Sequence, residues 1–133
     1  MAHHLKDLTI ELDEKVGTVA AAAEALGKAG VNIEGFCGFV VGGKGVGHVL
    51  VEDAGKARQA LQSAGARVTG EQDALVLDIE DKPGSLGSLT RKIANAGVSL
   101  NAVYLATKTR IVIGAQDIEK ARAAAGEGAA SRR

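Results

Sequence analysis

The chain has 133 residues carrying 16 basic and 16 acidic side chains, so no net field draws it to nucleic acid or to an anionic membrane. Its single cysteine, Cys37, excludes an intramolecular disulfide and suits a reducing compartment. Aromatic residues are confined to Phe36, Phe39 and Tyr104, so a core has to be assembled from Val, Leu, Ile and Ala.

In chain order, Leu8–Leu12 alternates apolar and polar residues as a strand does and leads into a turn at Asp13–Gly17. Thr18–Ala29 places Val19, Ala22, Ala23 and Leu26 at helical spacing, and Gly30 stops it. Asn32–Val41 reads as extended, Gly42–Gly45 as a hairpin loop and Val46–Val51 as the returning strand. Asp53 caps a second helix, Ala54–Ala64, which Gly65 ends, and Arg67–Thr69 forms a short closing strand.

The same series then recurs. Ala74–Ile79 is a strand, Ser85–Ala96 a helix, Ser99–Ala106 and Arg110–Ala115 strands, and a helix follows Asp117. The matching is residue by residue: the spacing that separates Gly17 from Gly84 also separates Gly30 from Gly97, and Asp53–Arg58 corresponds to Asp117–Arg122. Two units are expected, residues 1–70 and 71–126, followed by a frayed polar tail at 127–133 without a closing strand. Small units and open sheet edges lead us to expect a homodimer.

Chemistry concentrates in the loop Glu80–Leu86. Pro83 stiffens it, Gly84 permits close approach to the backbone, and Ser85 opens a helix whose first amides lack internal partners. Those amides suit a carboxylate, while Asp81 suits an ammonium group, so the loop offers both ends of a zwitterion a contact. On the residues alone, an ordinary capped turn explains the same segment.

Asp81–Gly84, followed by an amphipathic helix and Gly97–Leu100, resembles the signature of ACT domains, and Glu14–Gly17 with Gly30–Ile33 resembles a second copy. The likeness spans roughly residues 7 to 125. The resemblance implies an α+β fold of two ferredoxin-like (βαββαβ) units, packed side by side into a continuous antiparallel sheet with helices on one face. It also implies an amino acid held at the interface of the paired units. Carried onto this chain, the site is Asp81, Lys82, Pro83, Gly84, Ser85 and Leu86 with Asn32. A weaker reciprocal site takes Glu14, Lys15, Val16, Gly17 and Thr18 with Ser99 and, as a substitute amide, Asn101, because Val16 replaces Pro and Ser99 replaces Asn.

Other patterns point away from chemistry. Gly38–Lys44 starts like a phosphate loop, but Gly45 stands where a magnesium-binding hydroxyl is needed and a hairpin is the better reading. His3, His4, His48 and Cys37 lack metal-ligand spacing, so no metal is expected, and His48 is kept only for ligand contact or pH response. Cys37 reads as a small buried hydrophobe. The strands that would carry base-stacking aromatics in an RNA-binding domain of this topology contain none.

The expected protein is therefore cytoplasmic and non-catalytic, needs no cofactor, and binds an amino acid or related small carboxylate to regulate a separate protein partner. No nucleic acid or membrane is expected to bind. The alternative is a structural protein–protein interaction module whose ligand site has degenerated.

Overall fold

The computed structural model describes residues 5–126. They fall into two compact units, Leu5–Gln72 and a second that starts at Asp73.

The first unit runs β1 (Lys6–Asp13), α1 (Thr18–Lys28), β2 (Gly35–Val41), β3 (Lys44–Val51), α2 (Ala54–Ser63) and β4 (Arg67–Asp73), with strand order β4-β1-β3-β2. Strand alternation sends Leu8, Ile10 and Leu12 of β1, with Val49 and Val51 of β3, to one face. Helical spacing brings Ala22 and Leu26 of α1 and Ala57 and Leu61 of α2 onto that face, closing the core. Asp53 caps α2 by accepting from the Lys56 amide at 3.0 Å, as its position predicts. The β2–β3 connection is tighter than the expected Gly42–Gly45 loop. Val41 pairs with Lys44, and Gly42 and Gly43 alone turn the chain, both at positive φ (57° and 80°).

The second unit runs β5 (Leu75–Asp78), α3 (Ser85–Asn95), β6 (Leu100–Ala106), β7 (Arg110–Ala115) and α4 (Ile118–Ala124), with strand order β6-β7-β5. Its core repeats the first: Leu75 and Leu77, Ile111 and Ile113, Ile93 of α3 and Ala121 of α4 pack together. Full burial of a side chain such as Ile93 is worth about 1.5–3 kcal/mol, so α3 is held by its inner face. Asp117 caps α4 at the Lys120 amide, the counterpart of the Asp53 cap.

Several expectations need correction. The closing strand expected at Arg67–Thr69 continues to Asp73, its residues alternating between exposed and half-buried along its whole length beside β1. Asn32 does not lie in a strand; residues 31–34 form a connection, and β2 starts at Gly35. Cys37 is half-buried and lies outside the core, since it pairs with His48 in register while its neighbour Phe36 pairs with the core residue Val49. Asn101, the substitute amide, lies where the β6–β7 register shifts between Leu100 and Ala102, and Ser99 precedes β6. Among the described residues no strand follows α4; the tail at 127–133, with His3 and His4, lies outside them.

Candidate functional site

The loop from β5 to α3 is built on three backbone hydrogen bonds. The Lys82 amide donates to Glu80 O at 3.0 Å, the Ser85 amide to Lys82 O at 3.3 Å, and the Ser88 amide to Gly84 O at 2.9 Å. Gly84, at φ 91°, takes the left-handed conformation that turns the chain into α3, and no side chain caps that helix. The first-turn amides of Leu86 and Gly87 therefore face the helix end without an intrahelical acceptor, a local positive pole suited to an anion.

Asp81, Lys82, Pro83 and Gly84 are exposed, Ser85 is half-buried, and Leu86 keeps 41% of its surface in contact with solvent. Lys82 Nζ lies 3.1 Å from Glu80 Oε1, an exposed pair that water and salt weaken. A recess of about 400 Å³ opens beside the loop, lined by Asp81, Lys82, Ser85 and Leu86 from the loop side. Its far wall is Leu105, Ala106 and Thr109. On the other flank a shallower hollow of about 620 Å³ takes in Pro83, Gly84 and Ser88 with the end of α4. A carboxylate, an ammonium, a hydroxyl and a helix N-terminus are thus gathered within one loop.

Sequence reading missed the far wall. Lys108 and Thr109 have φ of 61° and 53°, a conformation in which side chains are strained, yet neither is glycine. Buried Arg110 holds that turn, donating from Nε to Thr107 O and from Nη2 to Thr107 Oγ1, each at 2.8 Å. Thr109 O in turn accepts from the Ile79 amide at 3.1 Å, which ties the strained turn to the base of the loop. An arginine directly after a turn rich in threonine was the only available signal.

The equivalent loop of the first unit repeats the backbone but not the side chains. Lys15 N donates to Asp13 O (2.9 Å), Thr18 N to Lys15 O (3.4 Å) and Ala21 N to Gly17 O (2.9 Å), with Gly17 at φ 94°. The Thr18 hydroxyl donates back to Asp13 O at 3.0 Å and to Lys15 O at 3.2 Å. Among the described residues the Ser85 hydroxyl makes no such bond. Glu14, Lys15 and Val16 are exposed, Val16 completely. Asn32 is exposed, with Nδ2 donating to Glu34 Oε2 at 3.0 Å, and Ser99 and Asn101 are exposed at the start of β6.

His48, kept as a ligand or pH candidate, contacts a buried acid. Its Nδ1 lies 2.9 Å from Asp7 Oδ2, and Gln72 Nε2 donates to the same oxygen at 3.1 Å. Cys37, opposite His48, has its thiol pushed above the ordinary range by burial and further by the Asp7 charge, against a lowering backbone hydrogen bond from His48. A thiol held in its protonated form is a poor nucleophile. Among the described residues no group of His, Cys, Asp and Glu is arranged to hold a metal ion, and no helix is long and apolar enough to cross a membrane.

No protein-family model matches the chain, and no curated protein does. Solved structures do. Protein BT0572 from Bacteroides thetaiotaomicron is 24% identical, with a TM-score of 0.80 over 98% of this chain and 92% of that one. The ligand-free regulatory subunit of aspartate kinase from Thermus thermophilus is 18% identical, with a TM-score of 0.66 over 96% and 93%. Aspartate kinase from Clostridium acetobutylicum is 13% identical, with a TM-score of 0.63 over 95% of this chain and 32% of that one. At these identities the likeness establishes the fold. The chain has the α+β fold of two ferredoxin-like units, and the resemblance to ACT domains carried by Asp81–Gly84 and Gly97–Leu100 is borne out at that level.

Proposed function

We propose that this chain, with its two units of ACT fold, is a regulatory protein that binds a free amino acid or related small carboxylate at the Asp81–Leu86 loop and acts on another protein. The observation that carries this reading is the uncapped start of α3 beside Asp81. The Leu86 and Gly87 amides receive the ligand's carboxylate, and the Asp81 carboxylate receives its ammonium group. Among the described residues Asp81 has no ion-pair partner, so taking up an ammonium group requires no existing bond to break.

The fold shared with a regulatory subunit of aspartate kinase supports a regulatory role by analogy, and the names of such proteins supply no ligand for this one. Contact with a second protein is supported by the outer end of β2, where Phe39, Val40 and Val41 are 59%, 58% and 54% exposed. Domain limits at 1–70 and 71–126, a homodimeric state and a cytoplasmic setting belong to this same reading.

The test is calorimetric titration of the chain with the twenty protein amino acids and their biosynthetic relatives. Saturable binding of at least one, weakened ten- to a hundredfold by Asp81→Ala, is expected, because a hydrogen bond to a charged group contributes about 1.5–3 kcal/mol. Failure of every compound to bind would favour the structural interaction module.

A further inference from the structure

Leu105 projects from the helix-covered face of the second unit's sheet without being covered itself. In the β6–β7 register it stands opposite Ile111, a fully buried core residue, so the two side chains share a face, yet Leu105 is 64% exposed. With Ala106 and Thr109 it forms the far wall of the recess of about 400 Å³ beside the Asp81–Leu86 loop. Leu86, 41% exposed, lines the same recess from the loop side, and half-buried Ile79 adds to its apolar surface.

The charged groups around the recess are already committed. Lys82 Nζ and Glu80 Oε1 lie 3.1 Å apart, and Asp81 is the group assigned to the ligand's ammonium. A charged ligand side chain would find no opposite charge left over, and would give up hydration against Leu86 and Leu105. An aliphatic one instead removes that leucine surface from water together with its own. The wall is also fixed in place, since Thr109 O accepts from the Ile79 amide at 3.1 Å and Arg110 donates twice to Thr107 at 2.8 Å. The first unit lacks this wall: at the repeat spacing that relates Gly30 to Gly97, Leu105 corresponds to Gly38, which has no side chain.

We propose that the amino acid taken by the second unit carries an uncharged aliphatic side chain, of the size of valine, leucine or isoleucine, and that Leu105 and Leu86 select it. The inference rests on the reading of the Asp81–Leu86 loop as an amino acid site and adds the class of side chain to it. With the carboxylate on the Leu86 and Gly87 amides and the ammonium on Asp81, the side chain is the part of the ligand left to fill the recess.

Calorimetric titration of the full chain with the twenty protein amino acids and norvaline tests it. Affinity should rise by up to about fourfold per methylene from alanine to norvaline, and the tightest aliphatic ligand should bind roughly tenfold or more tighter than alanine, aspartate or lysine. Leu105→Ala, at an exposed position, should erase most of that ligand's advantage over alanine, and Leu86→Ala serves from the loop side if Leu105→Ala does not fold. Asp81→Ala should instead weaken alanine and the aliphatic ligand alike. The inference is overturned, and the amino acid reading left standing, by binding that Asp81→Ala weakens but that favours a charged or polar side chain, takes no account of side-chain length, or keeps its aliphatic preference in the folded Leu105→Ala or Leu86→Ala variant. An absence of saturable binding by every compound overturns both.

Discussion

His48 Nδ1 sits 2.9 Å from Asp7 Oδ2 across 41 residues of sequence, beside a carboxylate that is only 1% exposed. The β1–β3 register puts His48 opposite Thr9 and Asp7 opposite Leu50, so the two are diagonal neighbours on one side of the sheet. Gln72 of β4 reaches the same oxygen from the other flank, linking three strands through one acid.

Removing the imidazole strips a partner from a buried acid. His48→Ala should therefore destabilise the chain by about 1–3 kcal/mol in urea unfolding. Replacing both residues, as in Asp7→Val with His48→Val, should recover part of that loss, because no buried charge is left behind. A double variant as unstable as the sum of the two single ones would show that the pair is not the source of the effect.

The elements of the fold were legible because local rules agree with one another in this chain. Apolar alternation in β1, the Asp53 and Asp117 caps and the Gly30 and Gly97 stops each appear in the structure where the residues imply. The Asp81–Leu86 loop was legible for the same reason: Pro83, Gly84 and Ser85 are local backbone chemistry. The Asp7–His48–Gln72 contact was not, since it depends on strand register, to which residues 41 and 65 apart give no local clue. The recess wall at Thr109 escaped for a related reason, because its positive φ is imposed by Arg110 rather than supplied by a glycine.

Cys37 supplies a pH dependence whose sign follows from its raised thiol. The folded state holds that proton more tightly than the unfolded chain, chiefly through burial. Its contribution to stability is thus complete below the ordinary thiol range and declines as pH rises into and beyond it. Urea unfolding of the parent and of Cys37→Ala from neutral to alkaline pH should show a steeper decline in the parent. Parallel curves would mean that the folded and unfolded thiols titrate alike.

Gly17 and Gly84 form a matched pair that separates stability from binding. Both have φ near 90°, 94° and 91°, and a Cβ added at either meets nothing within 4 Å, so the cost of alanine comes from the backbone alone. Gly17→Ala and Gly84→Ala should each lose about 1–2 kcal/mol of stability. Only Gly84→Ala should weaken the amino acid found by titration, because it alone alters the amides at the start of α3. Equal weakening by the two variants would place the ligand elsewhere.

Val16 occupies the loop position that Pro83 holds in the second unit, and the two loops share their backbone bonds. Lys15 N to Asp13 O matches Lys82 N to Glu80 O at 2.9 and 3.0 Å, and Thr18 N to Lys15 O matches Ser85 N to Lys82 O at 3.4 and 3.3 Å. None of these bonds uses the Val16 amide, and the Val16 side chain is fully exposed, so a proline ring there displaces no packing and removes no donor in use. The residue before it raises no obstacle either, since Lys82 already precedes a proline in the same turn. Val16→Pro should raise stability by about 0.4–1 kcal/mol, chiefly by restricting the unfolded chain, and Pro83→Val should lower it by a similar amount. Thermal unfolding of the two variants checks the pair. A loss of stability in Val16→Pro would show that the first loop departs from the second in the φ of its third residue, despite the shared hydrogen bonds.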